Sequence, residues 1–154
     1  MASPLIVDTS GIVALYDADS AQHQAFVAAA FAPGVSRLVS AAILSEIDYM
    51  LCVRVNPAAG SRFIDALVDG FFEVEGFEAA DARYVRALCQ RYPALKLGLA
   101  DGAVMSLAER LHCPRILTTD WRHFATVKPQ AFAQFDIVGA DQAPAKPTKP
   151  RHRR

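Results

Sequence analysis

Apolar residues along this chain come as short continuous runs set between longer stretches with helical spacing. Continuous runs read as strands buried on both faces; apolar positions three and four apart read as amphipathic helices. The pattern predicts strands over 5–7, 37–40, 71–75, 115–119 and 135–138. It predicts helices over 11–16, 19–31, 41–55, 57–69, 79–91 and 99–112. Asp19 with Gln22 three residues later reads as a capping box. Asn56-Pro57 supplies an N-cap and a first-turn proline, while Gly70, Pro93 and Pro114 act as stops. Strands alternating with helices imply an α/β fold with a parallel sheet covered on both faces, and no internal repeat is visible.

The polar positions that interrupt this pattern carry the chemistry. Asp8 stands directly after the apolar run Leu5-Ile6-Val7, where a buried strand has no structural need of an acid. In open α/β sheets, ligands collect just past the carboxyl ends of the strands. Asp120 ends the fourth strand in the same way. On a helical wheel of about 100° per residue from Ile43, Glu46 falls at about 300°, between Val53 at about 280° and Met50 at about 340°. It therefore lies at the edge of an apolar stripe formed with Ile47 and Leu51, whereas Asp48, at about 140°, faces solvent. On the wheel from Leu99, Asp101 lies at about 200°, inside an apolar arc of Ala100, Val104, Met105, Leu107, Ala108 and Leu111. Gly102, Ser106, Glu109 and Arg110 occupy the outer face of that helix. Asp101 also sits in the first turn, where the helix dipole favours an anion.

Two helices and two strand ends thus each direct one acid to the interior. A buried carboxylate without a partner costs several kcal/mol, and four together repel. Either basic side chains or a hard divalent cation must offset this. The nearest cations, Arg54 at a helix end and Lys96 in a loop, are poorly placed. A Mg²⁺ site, with Mn²⁺ able to substitute, is the expected solution because oxygen donors suit those ions.

The chain has 154 residues, 53% of them apolar, which suits one folded domain. Its formal charge is zero, but five of sixteen Lys and Arg fall in the last nine residues, leaving eleven against sixteen acids in the rest. A folded body over 1–142 and a flexible basic tail of Pro, Lys and Arg over 143–154 are expected. Cys52, Cys89 and Cys113 are far apart and read as reduced thiols of a cytoplasmic chain. There is no basic n-region at the N-terminus and no apolar run of bilayer-spanning length, so neither a signal peptide nor a membrane association is expected. His23, His112, His123 and His152 are scattered and read as surface residues rather than a metal-independent nuclease pair.

The motifs Val7-Asp8-Thr9-Ser10, Ser45-Glu46-Ile47, Leu99-Ala100-Asp101 and Thr118-Thr119-Asp120 before Trp121 occur in this order. Over about residues 4 to 140 the chain resembles a PIN domain, specifically the small toxins of bacterial VapBC toxin–antitoxin pairs. The resemblance implies a three-layer sandwich with a five-stranded parallel sheet flanked by helices. It implies a Mg²⁺-dependent endoribonuclease that leaves a 5′-phosphate and a 3′-hydroxyl. Asp8, Glu46, Asp101 and Asp120 match the acidic quartet, with Asp8 and Asp101 holding the metal most directly. Ser10 and Thr118 are candidates to orient water or phosphate; Lys96, Arg122 and His123 are candidates to touch the RNA backbone. A homodimer and a VapB-type antitoxin that obstructs the acidic pocket are implied as well. Two alternatives stay open on the residues alone: a phosphotransfer or receiver-type domain, and a non-catalytic RNA- or protein-binding module on the same fold.

Overall fold

The computed structural model describes residues 3–138. Five parallel strands form one sheet: β1 (Ser3–Val7), β2 (Val35–Ser40), β3 (Glu73–Glu75), β4 (Arg115–Leu117) and β5 (Asp136–Val138). Their order is β3-β2-β1-β4-β5. Seven α-helices flank the sheet: α1 (Thr9–Tyr16), α2 (His23–Ala30), α3 (Leu44–Arg54), α4 (Pro57–Val68), α5 (Ala79–Arg91), α6 (Leu99–Leu111) and α7 (Trp121–Thr126). This is the PIN-like α/β architecture that the strand–helix alternation and the resemblance imply.

β1 is central because its three apolar residues can be covered on both faces, and Leu5, Ile6 and Val7 are fully buried. The chain builds outward from β1 through β2 to β3, then returns to the other side of β1 for β4 and β5. The reversal lies between β1 and β4, where Ile6 pairs with Ile116 and Val7 with Leu117. Neighbouring crossovers depart in opposite directions there and leave a crevice at the carboxyl ends of the strands. The α1–α4 helices pack among themselves, α5 packs on α6, and α6 lies against β1 and β2.

Several local expectations need correction. Asp19 and Gln22 form no capping box: α2 starts at His23, and its N-cap Gln22 makes no side-chain cap bond. Asp17 instead accepts the Asp19 N–H at 3.1 Å and Ser20 donates to Gln22 at 3.2 Å, so a local polar turn wins over an earlier helix start. The helix expected from residue 41 opens with a 3₁₀ turn over Ala41–Ile43, capped by Ser40. Strand β3 omits Phe71 and Phe72, which leave the ladder to pack as rings on each other and on Phe63. Strand β4 stops at Leu117, so Thr118 and Thr119 follow it. Val53, assigned to the apolar stripe of α3, is 61% exposed.

α6 departs furthest from its wheel, since every residue from Gly102 to Ala108 is buried. Gly102 and Ser106 face α5 rather than solvent. A Cβ on Gly102 would come within 2.6 Å of Val85, and Ser106 donates to the buried Asp81 at 2.6 Å. Burial alone would raise the Asp81 pKa, but Ser106, the Glu78 N–H and Arg110 outweigh it and hold the carboxyl below its ordinary value.

The N-cap expected of α4 holds. Asn56 caps α4 through the Ala59 N–H at 2.9 Å, with Pro57 following. The three cysteines are free, Cys113 buried and the other two half-buried. No helix among the described residues is long and apolar enough to cross a membrane. The boundary at 142 and the basic tail over 143–154 lie outside the described residues.

Candidate metal centre

Asp8 leaves β1 in extended conformation and caps α1, its Oδ1 accepting the Thr9 N–H at 2.8 Å. Its other oxygen accepts from the Thr118 hydroxyl at 2.8 Å and from the Ser10 hydroxyl at 3.1 Å. Those two hydroxyls lie 3.0 Å apart and take backbone protons from the far side, Ser10 from Thr119 and Thr118 from Asp120, each at 3.0 Å. The Asp8 N–H in turn reaches the Leu117 carbonyl at 3.1 Å. The crevice between β1 and β4 is thus stitched shut beneath one carboxylate. Burial pushes the Asp8 pKa up to about 6; the three hydrogen bonds oppose that rise and the nearby charge of Asp101 adds to it.

Asp101 sits in the first turn of α6 and accepts the Gly98 N–H at 3.2 Å. Asp120 caps α7, accepting the His123 N–H at 3.5 Å. The His123 ring turns back, its Nδ1 standing 2.8 Å from Asp120 Oδ2 and 3.4 Å from Asp101 Oδ1. One donor atom from each of Asp101, Asp120 and His123 lies within 4.8 Å of the other two. His123, expected on the surface, is therefore part of the acidic cluster.

Asp8, Glu46, Asp101 and Asp120 all line one hollow of about 430 Å³. The hollow also receives Ser10, Asp17 and Arg54. Glu46 differs from expectation in being exposed at its mouth rather than at the edge of the core. With Val53 in solvent, the apolar stripe of α3 is narrower and leaves Glu46 outside it. Thr118 is fully buried, with its oxygen committed to Asp8 and the Asp120 N–H, so it positions a carboxylate and cannot reach a substrate. Lys96 is exposed on a left-handed turn (φ 51°), and Arg122 is exposed on α7; neither lines the hollow. Asp17 and Arg54 join the site without having been expected there. Arg54 had a signal, because it follows Glu46 and Met50 at helical spacing and all three line the hollow. Asp17, the residue after α1, had none.

Five carboxylates against one guanidinium leave a surplus of negative charge that a cation would offset. The donors are hard carboxylate oxygens with one imidazole, a set that suits a divalent ion. Burial raises the Asp8 pKa, a penalty on its charged form that a bound cation would offset. The residues present fit a metal, with Asp101, Asp120 and His123 closest together.

Comparison with known proteins bears on the family and the fold. The chain is 29% identical over 134 residues to Ribonuclease VapC26 of Mycobacterium tuberculosis, covering 87% of this chain and 99% of that protein. Its backbone superposes on the crystal structure of Mycobacterium tuberculosis VapC20, described as a sarcin-ricin loop cleaving toxin, with a TM-score of 0.71. That match covers 84% of this chain and 98% of the other at 18% identity, a likeness of fold. The PIN domain model matches residues 5–128, all five acids of the hollow included. The chain belongs to the PIN domain family, and within it is similar to the VapC-type ribonucleases.

Proposed function

We propose that this protein is a metal-dependent endoribonuclease acting as the toxin of a bacterial toxin–antitoxin pair. The observation that carries the reading is the convergence of Asp8, Asp101, Asp120 and Glu46 on one hollow at the sheet's switch point. The similarity to a protein named Ribonuclease VapC26 supports the substrate class, RNA, and a VapB-type antitoxin as partner is part of the same proposal. A homodimer acting in the cytoplasm belongs to the same proposal.

Asp8, Asp101 and Asp120, with Glu46 at the mouth, would hold Mg²⁺, or Mn²⁺ in its place. When bound, such an ion supplies Lewis acidity toward a phosphodiester and lowers the pKa of water. The chain's own residues do the positioning. Thr118 and the Thr9 N–H fix the Asp8 carboxylate, and the Gly98 N–H fixes Asp101. His123, beside Asp120 and Asp101, can hold or give up a proton at Nδ1 within reach of both acids. Ser10 lines the hollow and completes its floor.

The test is to incubate purified protein with total bacterial RNA, with Mg²⁺ or with EDTA, and map the new 5′ ends. Cleavage with Mg²⁺ is expected to stop with EDTA. Asp8→Asn and Asp101→Asn should lower the rate by more than about 100-fold, beyond what loss of a supporting group costs. Asp48→Ala should leave it unchanged. Cleavage that survives EDTA or Asp8→Asn would refute the proposal.

A further inference from the structure

The hollow extends well beyond the acids at the strand ends. Its outer part lies between the turn after α1, which contributes Asp17, Ser20 and Gln22, and the end of α3, which contributes Met50 and Arg54. Glu46, Met50 and Arg54 share one face of α3, so Glu46 and Arg54 are about 12 Å apart along the helix axis. Arg54 is exposed in the last turn of α3, where the helix dipole favours a cation without using its guanidinium protons. Among the described residues it forms no ion pair, although it lines a hollow with five acids.

Arg54 stands about two helical turns beyond Glu46 on α3 and is within ion-pair distance of none of the hollow's acids among the described residues. Its planar fork of donors, unspent among the described residues, matches a phosphate bidentately. The hollow has the size of a small-ligand pocket, about 300–1,000 Å³. A strand of RNA with its scissile phosphate at the acids would run past Met50 toward Arg54.

We propose that the outer half of the hollow is a nucleotide subsite in which Arg54 grips an RNA phosphate neighbouring the scissile one. The ligand class rests on the ribonuclease reading, but the contact does not require cleavage. Asp17, Ser20, Gln22 and Met50 line the hollow with Arg54, and the hydroxyl, the amide and the thioether are fit to face a base and a ribose.

The experiment measures binding of a labelled, randomised single-stranded RNA pool to the Asp8→Asn protein, with and without Arg54→Ala, across a salt series. Arg54→Ala is expected to weaken binding about tenfold at low salt. It should flatten the plot of log affinity against log salt by about 0.7, the share of one phosphate on a single strand. Arg54→Lys should recover most of the slope and less of the affinity. In the otherwise wild-type chain, Arg54→Ala should raise KM with kcat little changed. Direct Mn²⁺ titration and thermal melting should match wild type. Unchanged affinity and slope would overturn the proposal. So would a fall in melting temperature together with lost Mn²⁺ binding, which marks a structural tether. If Arg54→Ala changes the slope but the wild type cleaves nothing, the subsite stands and the nuclease reading falls; the reverse result removes the subsite alone.

Discussion

Asp8 concentrates the physics of the site in one side chain. Its folded pKa of about 6 lies above the ordinary 3.8 because burial penalises the charged form more than three hydrogen bonds favour it. Below about pH 4 the folded and unfolded chains both carry the proton, and the group has no net effect. As pH rises the unfolded chain releases its proton first, so the folded chain binds more protons and loses relative stability until about pH 6. The loss approaches about 3 kcal/mol at neutral pH. Urea denaturation in EDTA should show this decline from about pH 4 to about pH 6, and Asp8→Asn should abolish it and be more stable than wild type at about pH 8. Added Mg²⁺ or Mn²⁺ should restore wild type only, and most above about pH 6, where the ligand is free of its proton. Thr118→Val tests the support. Removing the hydroxyl takes a donor from Asp8 and an acceptor from the Asp120 N–H, at an expected cost of about 1–3 kcal/mol. Carboxyl NMR titration should then place the Asp8 pKa higher still, and metal affinity should fall.

The elements meet closely at Gly11, Gly60 and Gly102, and Gly11 and Gly102 differ in what stands opposite. Gly11 in the first turn of α1 faces the backbone of Leu117, and a Cβ there would be driven into the Leu117 carbonyl oxygen. This close approach brings α1 against the end of β4 and lets Ser10 meet Thr118. Gly102 faces only the Val85 side chain, at 2.6 Å and 2.7 Å from its two methyls. Overpacking costs about 1–3 kcal/mol where neighbours can move and more where they are backbone. Gly102→Ala should therefore destabilise within that range, and Val85→Ala in the same chain should recover part of the loss, a coupling that a double-mutant cycle measures. Gly11→Ala should cost more, find no side-chain partner that rescues it, and weaken metal binding by parting Ser10 from Thr118.

At the scale of the whole molecule, strand existence was legible because Leu5-Ile6-Val7 and Ile116-Leu117 can be nothing but covered on both faces. The strand order was not, because adjacency of β1 and β4 joins residues more than a hundred positions apart and leaves no local pattern. That adjacency is what turns Ser10 and Thr118 into a clamp on Asp8, so their positioning role was unreadable. Asp8 and Asp120 were legible as acids ending apolar runs; Glu46 was misplaced because Val53, apolar but exposed, widened the apparent core stripe of α3. The charge distribution was legible at once and has its own consequence. Apart from five cations in the final nine residues, the chain holds sixteen acids against eleven bases, a field that opposes an RNA approaching the hollow. As an electrostatic arm for RNA, the role expected of them, the terminal cations would offset that field and add nothing to a folded body. A chain ending at residue 142 should therefore melt at the temperature of the full chain. It should bind the randomised RNA pool more weakly at low salt and with a shallower salt dependence, by about 0.7 for each phosphate the terminal cations neutralise. A lowered melting temperature would place residues beyond 142 in the folded body, and unchanged RNA binding would make them a solubilising end only.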